Sequence, residues 1–152
     1  VITINATSKT YAMTGWRLGY LAAPEDVVGQ CLKVHQYCQA CATSISQYAA
    51  VAAYEGDQSP VAMMRDEYLV RRDLICKRLA DLGFVFPLPE GAFYTFVPMN
   101  PMLTQKIIGR GVIVVPGTAF GANAPEYTRF SYATSRDNIN RALDRIQQAM
   151  RD

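Results

Sequence analysis

The stretch NATSKTYAMTGWRLGY sets a lysine, Lys9, and an arginine, Arg17, eight positions apart across a segment that changes from polar to apolar. Desolvation disfavours an ammonium, and the neutral amine it leaves attacks a carbonyl carbon. A guanidinium stays charged and offers a fork of N–H donors to a phosphate. By default a lysine among Thr7, Ser8 and Thr10 is a surface residue of a polar loop. Here Met13, Gly15, Trp16, Leu18, Gly19 and Tyr20 supply an apolar, glycine-bearing frame, expected to hold Lys9 and Arg17 against a packed interior with Trp16 as a packing residue. One ligand that answers both groups carries an aldehyde and a phosphate, as pyridoxal phosphate does.

The elements that must position this pair follow from periodicity. Residues 1–5 alternate apolar and polar side chains as a strand does, so the sequence begins in mid-strand and reads as a cut piece of something longer. The apolar run 18–23 is a second strand. Pro24, Glu25 and Asp26 then suit the first turn of a helix expected to reach about Gln39. Ser44 and Gln47 have the spacing of a capping box, opening a helix that Gly56 stops. Ser59 is placed to cap, and Pro60 to start, a long amphipathic helix carrying Met64, Tyr68, Ile75, Leu79 and Leu82 and ending at Gly83. Beyond it the period shortens. Residues 84–88, 92–97, 112–115 and 127–132 read as short strands, 103–108 as a helical patch, and a closing helix after Ser135 repeats Ile139, Leu143, Ile146 and Met150. The predicted class is α/β, with an α+β unit from Ser59 onward.

Composition narrows the partners. Half of the 152 residues are hydrophobic, enough for a core, and the net charge of +2 is spread without a basic block. That argues against nucleic acid. No run of about 18 apolar residues points to a membrane span, and residues 1–9 lack the features of a signal peptide, so the expectation is a soluble, cytoplasmic protein. Cys38 and Cys41 form a CxxC near His35, but no second ligand pair follows, and Cys31, His35 and Cys38 fall at helical intervals. The four cysteines, Cys76 included, therefore read as reduced and structural, His35 as a surface or packing residue, and no metal is expected.

SKTYAMTGWRLGY resembles the Schiff-base lysine segment of the fold-type I pyridoxal-phosphate enzymes, the aspartate aminotransferase superfamily. SISQYAAVAAYEG, YLVRRDLICKRLADLGF, PEGAFYTFVP, GVIVVPGTAFG and RFSYATSRDNINRALDRI are similar, in order, to the carboxyl-terminal half of class I and II aminotransferases. The resemblance implies a piece of the pyridoxal-phosphate transferase fold. Residues 1–58 would end the large domain, and 59–152 would form the linking helix and small domain.

Carried over residue by residue, the resemblance gives Lys9 two roles, the Schiff-base nucleophile and the base that moves a proton from the substrate Cα. Arg17 would bind the cofactor phosphate, and Arg129 would grip the substrate α-carboxylate. Taken bare, Arg129 is a strand-edge arginine in a surface ion pair, and only its flanks FSYATS reverse that reading. Tyr94 lies near the substrate by the same resemblance, although an aromatic in an alternating strand is more often core. The turn PGTAFG, residues 116–121, approaches the site in the family, while its glycines by themselves say only turn.

Two departures stand out. Ala6 occupies a place where the family often has serine or glycine, and the stretch between Pro98 and Gly111 is short for the family. The family's ring-stacking aromatic, its aspartate at the pyridinium nitrogen and its glycine-rich phosphate turn all precede the lysine, so the chain alone is expected to be inactive. The implied parent is a homodimer exchanging an amino group between amino acid and 2-oxo acid substrates. A lyase or cyclopropane-forming synthase of the same fold, the effector domain of a transcription regulator, and a small α/β domain without a ligand site remain as alternatives.

Overall fold

The computed structural model describes residues 1–151. Its backbone divides into two compact units, Val1–Met63 and Met64–Asp152.

In the first unit, β1 (Thr3–Ala6) is followed by a single helical turn, α1 (Thr7–Thr10), a 3-10 turn at Thr14–Trp16 and β2 (Gly19–Ala22). The two strands pair antiparallel with each other, from Thr3 opposite Ala22 to Ala6 opposite Gly19. Next come α2 (Glu25–Cys38), with Glu25 and Asp26 in its first turn as the helix dipole favours, and α3 (Ser44–Glu55). No residue of α2 is buried, so His35, Cys31 and Cys38 are all exposed there, as Cys41 is beyond it. Only Cys76 of the four cysteines is buried, and among the described residues no cluster of three or more His, Cys, Asp or Glu could hold a metal.

Two cap assignments shift by one or two residues. The N-cap of α3 is Thr43 rather than Ser44, and it makes no side-chain cap bond. Gln47 instead donates its Nε2 to the Ala42 carbonyl at 2.8 Å. α4 (Ser59–Asp81) already includes Ser59, whose backbone N–H donates to Asp57 Oδ1 at 2.9 Å; a short carboxylate thus caps a helix that the sequence assigns to the serine. Either side chain satisfies the same orphan donors, and the sequence pattern alone does not choose between neighbours.

α4 spans the division between the units. In the second unit it is followed by β3 (Tyr94–Pro98), α5 (Pro101–Gly109), β4 (Val115–Pro116), a 3-10 turn at Gly117–Phe120, β5 (Tyr127–Ser131) and α6 (Arg136–Arg151). The sheet order is β3-β5-β4 and every pair is antiparallel. Residues 84–88, expected as a strand, have no ladder partner, and of the expected 112–115 strand only Val115 pairs, together with Pro116 just beyond it. Phe84 and Phe86 do pack against the core while Val85 is exposed. Alternation reports which face is apolar and says nothing of whether a neighbouring strand exists.

One face of the sheet is sealed. Thr95, Val97, Thr128 and Phe130 are buried with Leu79 of α4, Ile107 of α5 and Leu143 and Ile146 of α6. Thr104 and Thr128 satisfy each other's hydroxyls in this interior, Oγ1 to Oγ1 at 2.6 Å. Ala149, not Met150, completes the buried stripe of α6, because the residue three beyond Ile146 faces the core and the next turns outward. Arg78 ties α4 to α6, donating to Asn140 Oδ1 at 3.0 Å and to Asp144 Oδ1 at 2.7 Å.

Glu67 of α4 accepts from Arg136 at the start of α6 and from Arg71 one turn along α4 at 2.7 Å. These bonds, that to Arg136 foremost, pull its pKa down from 4.5 to about 2. A depressed acid stabilises the fold fully above its unfolded pKa and loses that contribution as the pH falls through the folded one. Urea midpoints of Glu67→Gln are therefore expected to show a flatter decline than the parent between pH 4.5 and 2. Parallel declines would remove the pair as a source of acid sensitivity.

Candidate active site

Lys9 and Arg17 both stand in the connection between β1 and β2, on the segment 7–18 that closes one end of the hairpin. The tie that closes it is Thr7, 1% exposed, whose backbone N–H and Oγ1 both donate to the Leu18 carbonyl at 3.3 Å. α1 is a single turn that leaves Lys9 exposed. Arg17 adopts the left-handed region, φ 54°, and its Nη1 donates to the Thr14 carbonyl at 2.9 Å, folding the side chain over its own 3-10 turn. A non-glycine residue there is uncommon and mildly strained, a feature that clusters at ligand sites. Ser46 of α3 holds the same turn, its Oγ donating to the Trp16 carbonyl at 2.7 Å.

The expected packed frame is only partly present. Met13 is buried, but Arg17 and Lys9 are exposed and Trp16 is 44% exposed, so the apolar residues beside the pair do not wall it in within these residues. The backbone ties, not desolvation, position the amine and the guanidinium. Beside the hairpin, Tyr54 of α3 meets Tyr11 and Tyr20 edge-on, with centroids 5.1 and 6.0 Å apart. A hydrogen bond with Tyr20 above all pushes the Tyr54 pKa up to about 12, with burial and the nearby phenols adding to it. Tyr54 therefore stays neutral at ordinary pH and braces the hairpin through its two ring contacts.

In the second unit the sheet face opposite the core carries Tyr94, Phe96, Tyr127 and Arg129. Phe96 pairs directly with Arg129, and Val115 of β4 flanks Arg129 on its other side. The Arg129 guanidinium lies 4.2 Å from the Tyr94 ring centroid and 4.7 Å from that of Phe120. Phe120 is braced in turn, edge-on to Phe96 at 5.8 Å, and Phe96 stacks on Tyr127 at 4.9 Å. Among the described residues no carboxylate pairs with Arg129, so the surface ion pair that a bare strand arginine suggests is absent there. A half-buried cation held by rings keeps its N–H fork available for a planar anion.

The structure thus places Lys9 and Arg17 on the same β1–β2 connection in one unit, and brings Tyr94 to Arg129 in the other. Phe120 was not singled out by its sequence. Its signal is an aromatic placed between two glycines in a tight turn, where no core is available to claim it.

Residues 1–146 match the family model for aminotransferase class I and II, and the chain belongs to that family. It is 45% identical to a probable aspartate aminotransferase of Methanocaldococcus jannaschii, over 97% of this chain and 42% of that protein. It is 42% identical to aromatic-amino-acid aminotransferase 2 of Thermococcus litoralis, over 99% of this chain and 41% of that one. Among solved structures, the aspartate aminotransferase of Thermotoga maritima superposes with a TM-score of 0.90 at 35% identity, covering 99% of this chain and 40% of the other. The chain therefore spans about two fifths of the length of the curated relatives it matches. The family is pyridoxal-phosphate dependent, and the helix-and-strand architecture matches its α/β fold. Among the described residues no helix is long and apolar enough to cross a membrane.

Proposed function

We propose that this chain is part of an aminotransferase that moves an amino group between an amino acid and a 2-oxo acid, with Lys9 and Arg17 serving the cofactor and Arg129 and Tyr94 the substrate. The observation that carries the reading is the hairpin connection, which carries both an amine and a guanidinium, exposed, on a segment of the matching family. Residues 1–58 then end the large domain and 59–152 make the small one. The parent is a cytoplasmic homodimer, and the chain by itself is inactive.

The residues present fit pyridoxal 5′-phosphate. Arg17 is exposed and makes no ion pair among the described residues, so its charge is available to a phosphate, and Lys9 is reachable from solvent. When bound, that cofactor supplies an aldehyde and an electron-accepting ring. Lys9 would hold the cofactor through its Nζ and would take and return the proton at the substrate Cα. Arg17 anchors the phosphate end. Arg129 would orient the substrate through its α-carboxylate. Tyr94 keeps the guanidinium in place while the substrate exchanges.

The test is to add pyridoxal phosphate to the chain and to Lys9→Ala, reduce with borohydride, and map the added mass. Attachment confined to Lys9 and lost in the variant is the expected result. Equal labelling of Lys33, Lys77 and Lys106 would defeat the assignment. Turnover of an amino acid and 2-oxo acid by the chain alone would overturn its inactivity.

A further inference from the structure

We infer that Phe120 is a positioning residue for carboxylate recognition: its ring fixes the guanidinium of Arg129 so that the N–H fork is set before the ligand arrives. The inference rests on the reading of Arg129 as a carboxylate grip. It names the device that makes a mobile side chain into a preformed site.

An arginine carries several rotatable bonds, and ordering them on binding costs affinity. Structures usually avoid that cost with an acidic partner, which would also neutralise the cation. Arg129 has no such partner among the described residues, nor does its guanidinium donate a hydrogen bond to any of them. What holds it is ring contact, Tyr94 at 4.2 Å and Phe120 at 4.7 Å. A ring attracts the cation through its face and takes none of the in-plane N–H donors. The charge is retained and the fork is left for a ligand.

Phe120 differs from Tyr94 in being put there for little else. It is 50% exposed, lies outside the core, and sits in the 3-10 turn Gly117–Phe120 rather than in a strand. Its other ring contact is Phe96, which in turn stacks on Tyr127. These rings form a shelf on the exposed sheet face whose far end is the guanidinium. A large aromatic left half in solvent, whose ring contacts among the described residues are Phe96 and the Arg129 guanidinium, is explained by what it holds.

The experiment uses arginine labelled with 15N in the parent chain, Phe120→Leu, Phe120→Tyr and Arg129→Lys, the last to assign the Arg129 Nε–H signal. Propionate is the probe, and propionamide, which has the shape without the charge, is the control. In the parent, Arg129 Nε–H is expected apart from the exposed arginines because of the ring currents, and to move with propionate alone. Phe120→Leu should collapse that separation and weaken propionate about fivefold, the loss of one cation–ring contact, while Phe120→Tyr keeps both. An unchanged signal and unchanged affinity in Phe120→Leu would overturn the positioning role. If the signal collapses in Phe120→Leu but propionate never shifts it in any form, the carboxylate reading of Arg129 fails, and the proposed role of Phe120 fails with it.

Discussion

Gly117→Ala is expected to destabilise the chain by about 3 kcal/mol and to disturb the Phe120 contact with Arg129 at the same time. A Cβ at this position would lie 1.9 Å from the Ala124 carbonyl oxygen and 2.8 Å from that of Tyr127. Both obstacles are backbone, so no rotamer change relieves them. Either the 3-10 turn or the 121–127 loop must move. The turn carries Phe120 and is entered from β4, and the loop leads into β5, which carries Arg129. Urea unfolding should show a lower midpoint with an unchanged slope, as expected when stability alone changes. A change within about 0.5 kcal/mol would show that the loop yields freely. The Arg129 Nε–H signal gives a separate readout, and it should lose its ring-current displacement.

Ile146→Ala should cost about 3–4 kcal/mol, within the range for large apolar residues truncated in a core. Ile146 has no exposed surface and belongs to the cluster that includes Leu79, Val97, Ile107 and Leu143. Its neighbours belong to α4, the sheet and α5, elements that cannot all close on the space at once, so the cavity term adds to the lost transfer energy. Met150→Ala, one turn further along α6 and 43% exposed, is the matched control and should stay within about 0.5 kcal/mol of the parent. Similar costs for the two would mean that the register of α6 differs from the one described.

The helices were legible because their signals are local. Pro24 with Glu25 and Asp26, the glycine after Leu82 and the apolar spacing of 139, 143 and 146 each act within one or two turns, and the helices begin and end close to where those residues put them. Caps slipped by one or two residues, since Asp57 and Ser59 can serve the same donors. Strands were legible as faces but not as pairs. Residues 84–88 alternate as a strand does yet have no neighbour, because pairing depends on which distant segment comes alongside.

Residue chemistry alone determined that Lys9 and Arg17 suit an aldehyde and a phosphate, and motif order determined the family. Only the tertiary structure decided how those groups are held. A frame of apolar residues suggested burial for Lys9 and Arg17, whereas the fold holds their segment by carbonyl contacts from Thr7 and Ser46 and leaves both side chains exposed. Likewise, nothing local to RFSYATS says that Arg129 meets Tyr94 and Phe120. That meeting depends on the register of β3 against β5 and on a turn closed by Gly117, which are contacts between residues far apart in the chain. Side-chain type is written position by position, but which cation rests on which ring is set by packing that no single stretch contains.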